Sequence, residues 1–224
     1  YEKLHPYNIS QKSQIIVETF RETTKNKIGG KRMSKVNGAK KLTDNRFLNL
    51  YELNAETKDN KPIKYLVASR AKEVEDLKAI NHKEKSDAVA ILGITSDKKV
   101  VLVRQYRYPV GDYIYELPAG LVDKGESVYE AAAREMGEET GLVLNHFPKL
   151  TFNSLYSSPG MTDETCSVIV GNVSGEVSTD GNEDTEDITV ICADKTEVMR
   201  ILENEKLCMK TALLLRWWLD SEFC

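Results

Sequence analysis

The sequence has few of the residues that form disulfide frameworks and zinc sites, and no segment suited to span a membrane. Its four cysteines are widely scattered and include no CxxC pair, which favours reduced thiols over a disulfide framework or a zinc site. No apolar run approaches the roughly 20 residues that a membrane-spanning helix needs. The net charge of −4 gives no electrostatic reason to expect nucleic-acid binding. We therefore expect a cytoplasmic protein without membrane or nucleic-acid partners.

The first 40 residues differ in composition from the rest of the 224-residue chain. They are polar, become basic toward their end and contain helix- and strand-breaking glycines, and only SQIIVETF within them has the pattern of a strand. We interpret residues 1–40 as an extension or arm, solvated or packed in a dimer rather than bound to nucleic acid, and residues 41–224 as one domain. Because the chain begins at Tyr1 and not at Met, the sequence leaves open that a targeting segment was removed.

From residue 46 onward the pattern predicts alternating strands and helices. RFLNLYELNAE and KPIKYLVASR flank the turn-forming TKDN and predict a hairpin. Further strands are predicted in SDAVAILGIT, KKVVLVRQYRY, DYIYELPAG, LTFNSLYSSPG, ETCSVIVGNVSG and ITVICAD, and the last 25 or so residues have the apolar spacing of two helices. Strands interleaved with one central helix and two closing helices predict a layered α/β domain.

The most informative segment is GLVDKGESVYEAAAREMGEETGL, residues 120 to 142. Ser127 and Glu130 form a capping box that predicts the start of a helix, and a glycine suits the left-handed residue that ends it. Three glutamates related by three and four positions share one helix face, where they repel one another unless a cation lies between them. Oxygen ligands without nearby His or Cys favour Mg²⁺ or Mn²⁺. The fixed positions of the pattern are Gly120, Glu126, Arg134, Glu135, Glu138, Glu139 and Gly141.

An acidic helix face is usually only solvated surface, but a chance match to so many fixed positions is improbable. The segment resembles the signature of the Nudix hydrolases, and a weaker likeness extends over residues 41–224. The resemblance implies a Nudix-type α/β/α sandwich with a mixed sheet and one metal-binding helix. It also implies hydrolysis of a pyrophosphate that joins a nucleoside to another group.

The resemblance implies a role for each position of the motif. Glu135 and Glu139 are the first-choice metal ligands, Glu138 is the third, and the backbone carbonyl of Ala119 supplies a further ligand. Gly120 lets the chain come close to the metal, because glycine has no Cβ. In the family pattern Arg134 pairs with Glu126 and ties the loop to the helix, a structural role.

Two arginines precede the motif in VRQYRYPVGDYIYELPAG. An arginine fork matches phosphate oxygens, but successive faces of a strand alternate, so Arg104 and Arg107 point the same way only if the strand bends or ends between them. The resemblance favours Arg107 as the phosphate contact and Glu116 as another active-site carboxylate. For Arg104, an ordinary surface position is as well supported as a functional one.

The segment SSPGMTDE bears on the substrate. Pro159 lies seventeen positions after Leu142. A proline at about this distance is similar to the ADP-ribose pyrophosphatase branch of the family, which would cut ADP-ribose to AMP and ribose 5-phosphate. Hydrolases of GDP-mannose or other nucleotide sugars share much of the pattern, and Ser-Pro-Gly alone equally indicates a simple turn.

The general base is expected in the acidic loop TDGNEDTEDITV. In the branch that the chain resembles, a carboxylate of a mobile loop activates the water, and Gly181 would ease closure of such a loop. The matching positions are closest to Glu186 and the pair Glu183 and Asp184, and the sequence does not choose among them. Asp187 belongs to the same loop, and a plain solvated acidic loop is the alternative for each member.

Recognition of adenine would need an aromatic or apolar platform. In this branch the N-terminal strands supply such contacts and an arginine, partly from a second subunit. Phe47, Tyr51, Tyr65 and Arg70 are candidates, and Arg70 is the one that we select. Exchange of residues 41–75 with a partner predicts a homodimer.

Two other functions fit the same fold. A Nudix-fold sensor would bind the nucleotide without cutting it, but such proteins tend to lose acidic residues of the motif or to gain a DNA-binding domain. A hydrolase of oxidised nucleoside triphosphates would keep the motif but has no reason to contain the SPG segment. The sequence favours the hydrolase of nucleotide sugars.

Overall fold

The computed structural model describes residues 33–181 and 187–221. It contains two sheets. A three-stranded antiparallel sheet consists of β1 (Lys35–Lys41), β2 (Asn49–Glu56) and β3 (Pro62–Ser69) in that order. A short 3-10 helix, Val74–Asp76, and the short helix α1 (Lys78–Asn81) follow this sheet and pack on one of its faces through Tyr51, Leu53, Val67 and Leu77.

The second sheet has eight strands. Its central path is β11-β5-β4-β10-β8, in which β4 and β10 are parallel and the other neighbours are antiparallel. Three short strands complete it, with β6 on β5, β7 on β4 and β9 on β10. The strands are β4 (Ala88–Ile94), β5 (Val100–Arg107), β6 (Asp112–Glu116), β7 (Ala119–Leu121), β8 (Val143–His146), β9 (Phe152–Tyr156), β10 (Thr165–Ser174) and β11 (Ile188–Ala193).

Helices cover both faces of this mixed sheet. Helix α2 (Val128–Thr140) packs on one face, where Ala132 and Met136 contact Val89 and Ile91 of β4 and other apolar residues. Helices α3 (Lys195–Asn204) and α4 (Met209–Leu219) pack on the other face through Ile201, Leu215 and Trp218, among others. The predicted α/β/α sandwich with a mixed sheet is therefore confirmed, and the burial of both faces explains the nearly continuous apolar runs of the central strands.

Strands β4 and β5 separate soon after the turn that joins them. They pair only at Ile94 and Val100, and farther from the turn β5 pairs with β6 while β4 pairs with β7. The chain between β6 and β7 crosses this opening, where the Ile91 N–H donates to the Pro118 carbonyl at 2.8 Å. The segment DYIYELPAG, predicted as one strand, thus contributes to two short strands, and residues 122–127 separate β7 from the helix that follows.

The first strand lies where the sequence predicted only an arm. Strand β1, KVNGAKK, pairs with β2 from Lys35 to Lys41, so the expected boundary between residues 40 and 41 falls inside a strand. The sequence of β1 lacks the alternating apolar pattern that would predict a strand. Its stability comes instead from backbone hydrogen bonds to β2. The segment SQIIVETF, with the rest of residues 1–32, lies outside the described residues. In the part of the chain that is described, no helix is long and apolar enough to cross a membrane.

Candidate active site

Helix α2 has the termini that its sequence predicts. The Glu130 N–H donates to the Ser127 hydroxyl at 3.2 Å and the Ser127 N–H donates to the Glu130 carboxylate at 2.8 Å, which completes the capping box. Gly141 ends the helix in the left-handed region with φ of 73°. These contacts satisfy N–H groups that the first turn cannot pair internally, and they fix which helix face carries the acidic side chains.

Arg134 lies at the centre of the acidic face. Its guanidinium donates to both Glu126 oxygens at 3.0 Å, to Glu135 at 2.8 Å, to Glu138 at 3.0 Å and to the Leu121 carbonyl at 2.9 Å. The predicted pairing of Arg134 with Glu126 is present, and it lowers the pKa of Glu126 because the bonds favour the ionised carboxylate. These bonds tie the 122–127 turn to the helix.

Glu139 is the carboxylate of the motif that lies deepest. Only 3% of the residue is exposed, and its carboxylate accepts from the Ala119 N–H at 3.0 Å. The Glu135 carboxylate contacts the same strand one residue later, at Gly120. An added Cβ on Gly120 would overlap this carboxylate. The absence of a side chain at Gly120 therefore brings a carboxylate of α2 against the backbone of β7.

The acidic face fits a divalent cation in its donor set. Glu135 and Glu139 lie against the Ala119–Gly120 backbone, so this face presents carboxylate oxygens, which hard cations prefer. Within residues 33–181 and 187–221, no three His, Cys, Asp or Glu side chains already converge on one point as a metal centre. Arg134 pairs with both Glu135 and Glu138, so its positive charge offsets part of the negative charge of this face.

A cleft of about 660 Å³ adjoins this helix face. It brings together the three predicted substrate-binding residues, Arg70, Arg107 and Glu116, although they come from distant parts of the sequence. From the motif and its lead-in the cleft wall contains Ala119, Gly120, Arg134, Glu135 and Glu138. Glu139 lies behind this wall, while Glu126 and Gly141 support the turn and the helix end without lining it.

The two arginines of β5 point in different directions. Arg107 donates to Glu116 at 2.5 Å and lines the cleft. Arg104 instead lies over the Tyr113 ring, 4.2 Å from its centroid, where a cation–π contact explains the side chain without a substrate. The alternation of strand faces thus separates Arg104 from Arg107, and only Arg107 reaches the predicted site.

The N-terminal sheet reaches the cleft through its last strand. Arg70 follows β3 and its Nε donates to Glu164 at 2.8 Å. The Tyr65 hydroxyl donates to the Gly160 carbonyl at 2.9 Å, and the Ala68 N–H donates to the Met161 carbonyl at 2.9 Å. These bonds join β3 to the SSPGMTDE segment, so Arg70 enters the cleft from the same chain.

The aromatic candidates for adenine contact differ in exposure. Tyr51 is fully buried and its hydroxyl donates to the Ala71 carbonyl at 2.7 Å, so the ring of this candidate packs in the core of the first sheet. Phe47 is 65% exposed and lies under the Arg46 guanidinium. The alternating sequence pattern does not show which face of the first sheet is buried, because apolar residues occur on both faces.

The proposed general bases Glu183, Asp184 and Glu186 lie outside the described residues. The end of their loop is described: the Tyr113 hydroxyl donates to Asp187, and the Tyr106 N–H donates to the Asp187 carbonyl at 3.1 Å. Gly181 packs against α2, because an added Cβ would lie 2.8 Å from the Glu138 carbonyl oxygen. Close packing against α2 therefore explains a glycine at position 181, in addition to the predicted ease of loop closure.

Three further charged residues line the cleft that were not predicted from the sequence: Asp123, Glu164 and Lys210. Glu164 could have been predicted from the sequence, because it ends the SSPGMTDE segment that bears on the substrate. Lys210 carries no local signal, since only the docking of α4 against the sheet places it there. A lysine in an amphipathic helix is indistinguishable by sequence from a solvated one.

The layered mixed sheet defines an α/β protein. One short sequence motif supplies the carboxylate-bearing helix beside its cleft. The chain belongs to the Nudix family: the family model described as NUDIX domain matches residues 84–207, more than half of the chain. The matched range contains the acidic helix α2 and the SPG segment.

Individual relatives match shorter stretches. An ADP-ribose pyrophosphatase from Bacillus subtilis (strain 168) is 41% identical over 83 residues, which cover 37% of this chain and 44% of the relative. An ADP-sugar pyrophosphatase from Mus musculus is 34% identical over 110 residues, covering 46% and 48%. The aligned segments thus span about half the length of these curated relatives. A crystal structure described as an ADP compounds hydrolase shares the fold, with a TM-score of 0.58 and 20% identity over 84% of this chain and 95% of that chain.

Proposed function

We propose that the protein hydrolyses the pyrophosphate bond of ADP-ribose or a related nucleoside diphosphate sugar, giving AMP and ribose 5-phosphate from ADP-ribose, with Mg²⁺ or Mn²⁺ as cofactor. The observation that carries this proposal is that Arg70 and Arg107 line the same cleft as Glu135 and Glu138 of α2. Arginine side chains suit a diphosphate, and carboxylates suit the metal ions that accompany it. The names of the pyrophosphatase relatives support the same substrate class.

Each part of the site would have a separate role. Glu135, Glu139 and the Ala119 carbonyl would hold the metal, with Glu138 as a third carboxylate. A bound divalent ion supplies charge neutralisation and a more acidic water for attack on phosphorus. Arg107 would hold phosphate oxygens, and its bond to Glu116 keeps its fork in place within the cleft.

The general base is proposed among Glu183, Asp184 and Glu186. A carboxylate there would accept the proton of the attacking water, and Asp187, held by Tyr113, fixes the near end of that loop. Single variants Glu183→Gln, Asp184→Asn and Glu186→Gln should separate the three, since the base variant alone should lower kcat by about 100-fold or more. Unchanged kcat in all three would place the base elsewhere.

The substrate class is tested by incubation with Mg²⁺ and a panel of ADP-ribose, GDP-mannose and nucleoside triphosphates. Chromatography of the products identifies the bond that is cut. We expect AMP and ribose 5-phosphate from ADP-ribose at the highest kcat/KM. A preference for GDP-mannose would identify a different nucleoside diphosphate sugar as the substrate. Tight binding of ADP-ribose without any turnover would favour a Nudix-fold sensor.

The metal-binding assignment is tested by Glu139→Gln. The substitution keeps the size of the side chain and an oxygen that accepts from the Ala119 N–H, but it removes the charge of one metal ligand. We expect kcat to fall by several orders of magnitude, roughly 10³-fold or more, with little change in unfolding temperature. Glu203→Gln, an exposed glutamate of α3, is the matched control and should keep the parent rate. A Glu139→Gln enzyme with the parent kcat would refute the assignment.

We also propose a homodimer formed through the first sheet. One face of that sheet packs on α1, while Leu66 of β3 is 55% exposed and Leu48, just before β2, is 49% exposed. Exposed apolar side chains on a sheet are typical of an interface. A C2 dimer would cover the same face in both subunits.

A further inference from the structure

Hydrogen bonds connect the start of α4 to the end of β6, which carries Glu116. The Tyr115 N–H donates to the Lys206 carbonyl at 2.8 Å, and the Cys208 N–H donates to the Tyr115 carbonyl at 3.4 Å. On the other side of Glu116, the Leu117 N–H donates to the buried Thr211 hydroxyl at 3.2 Å. Bonds on both sides of Glu116 therefore hold the first turn of α4 in a fixed position beside the cleft.

Lys210 lies in this fixed turn and lines the cleft. The three arginines of the same cleft already have carboxylate partners: Arg70 pairs with Glu164, Arg107 with Glu116 and Arg134 with Glu126. In the described part of the chain, Lys210 forms no ion pair and no hydrogen bond through its side chain. Its half-buried ammonium is thus a cleft cation that is available to an anion from outside.

The stability of α4 gives no reason for a lysine at this position. The helix dipole makes the first turn unfavourable for a cation, and that turn contains no acidic residue to offset it. A local rule broken without compensation is expected where a side chain serves a ligand. The ligand that enters this cleft under the proposed function carries a diphosphate, the group that a lysine ammonium attracts as a point charge.

We propose that Lys210 is a further substrate-binding residue, whose ammonium contacts the diphosphate of the nucleotide sugar from the side of the cleft formed by α4. The inference rests on the proposed function, because a diphosphate must enter the cleft. Arg107 and Lys210 then contribute differently to binding, since Arg107 is oriented by Glu116, whereas Lys210 supplies a charge that no carboxylate of the described residues shares.

The test measures binding separately from turnover. The probe is ADP-ribose with a methylene bridge in place of the bridging oxygen, titrated by calorimetry in the presence of Mg²⁺. We expect Lys210→Met to weaken the Kd about tenfold, Lys210→Arg to stay within about twofold of the parent, and the difference to shrink at high salt. Arg216→Met, at the exposed far end of the same helix, is the charge-matched control and should leave the Kd unchanged.

Kinetics with ADP-ribose provides the second measurement. Lys210→Met should raise KM by about tenfold with a smaller change in kcat, because the contact exists in the bound substrate as well as in the transition state. Unfolding temperatures of Lys210→Met and Lys210→Gln establish that both are folded, and Lys210→Gln should weaken binding to the same extent. An unchanged Kd and KM in both variants would overturn the proposal.

The outcomes distinguish this inference from the proposed function. If the parent protein hydrolyses ADP-ribose and the Lys210 variants match it, only the role of Lys210 fails. If the parent protein binds the analogue and cuts no nucleotide sugar, the proposed function fails, and a weaker Kd in Lys210→Met still supports the contact. If the parent protein does not bind the analogue, both proposals are overturned.

Discussion

At the scale of single residues, Gly120 shows how one missing side chain shapes the site. Its φ does not lie in the left-handed region, so its role is one of space: a Cβ there would overlap the Glu135 carboxylate. The neighbouring Ala119 N–H binds Glu139, so two consecutive backbone positions of β7 each contact one carboxylate of α2. This close approach is what places two carboxylates against the same short stretch of backbone.

Gly120→Ala should therefore damage the metal site more than the fold. The added methyl group must push the Glu135 carboxylate away, and we expect a fall of about 100-fold in kcat/KM and a weaker apparent Mg²⁺ affinity. Activity assays over a range of Mg²⁺ concentrations measure both effects.

Gly137→Ala is the matched control on the same helix. Nothing lies within 4 Å of a Cβ at this exposed helical position, so alanine should raise the free energy of unfolding by about 0.5–1 kcal/mol without changing activity. Full activity in Gly120→Ala together with this gain in Gly137→Ala would show that the Glu135 carboxylate has no catalytic role.

At the scale of elements, α2 and the turn before it act as one unit. The capping box begins the helix at Ser127, and Arg134 reaches back from its second turn to Glu126 and the Leu121 carbonyl. Because these bonds connect the two ends of the turn, they fix the distance between β7 and the helix face. The carboxylates of α2 consequently meet the β7 backbone in one arrangement.

The Glu126–Arg134 pair should contribute stability that depends on pH. The bonds from Arg134 hold the pKa of Glu126 below its ordinary value, so the pair stabilises the native state at pH above the unfolded value of about 4.3. This contribution is lost as pH falls through the lower, folded-state pKa. We expect Glu126→Gln to reduce the free energy of unfolding by about 1–2 kcal/mol near pH 7 and by progressively less below pH 4.

Urea unfolding at several pH values measures this dependence. Glu197→Gln, which removes a carboxylate from the exposed pair with Arg200, is the control and should change stability little at any pH. A loss in Glu126→Gln that stays constant from pH 7 to pH 3 would mean that the pair has no ionic contribution.

At the scale of the whole molecule, the cleft forms where separate units of the chain meet. Strands β4 and β5 diverge, the crossing between β6 and β7 occupies the opening, and α4 is docked against it through Thr211. The first sheet joins this assembly through the pair between Arg70 and Glu164, residues 94 positions apart. Loss of any one unit would remove a wall of the cleft.

The proposed dimer should be visible in the molecular mass. We expect light scattering to give twice the mass of one chain, and Leu66→Asp to shift the equilibrium toward the monomer because it places a charge in the apolar contact. Met199→Asp, at a position of α3 that is 47% exposed, is the control and should leave the mass unchanged. A parent protein that is monomeric at micromolar concentration would refute the dimer.

Elements with local signals can be predicted from the sequence. The helix with its capping box and terminal glycine, the shared face of Glu135, Glu138 and Glu139, and the hairpin of β2 and β3 all follow from spacings within about ten to twenty residues. Such features depend on backbone periodicity and neighbouring side chains, which the sequence states directly.

Which distant side chains meet depends on how the elements pack together. The strand β1 exists because β2 pairs with it, Tyr51 is buried because α1 covers that face of the sheet, and Lys210 reaches the cleft because α4 docks beside Glu116. Contacts between residues dozens of positions apart depend on strand order and on the packing of layers. No local pattern encodes these, because their free energy arises only when the distant segments are brought together.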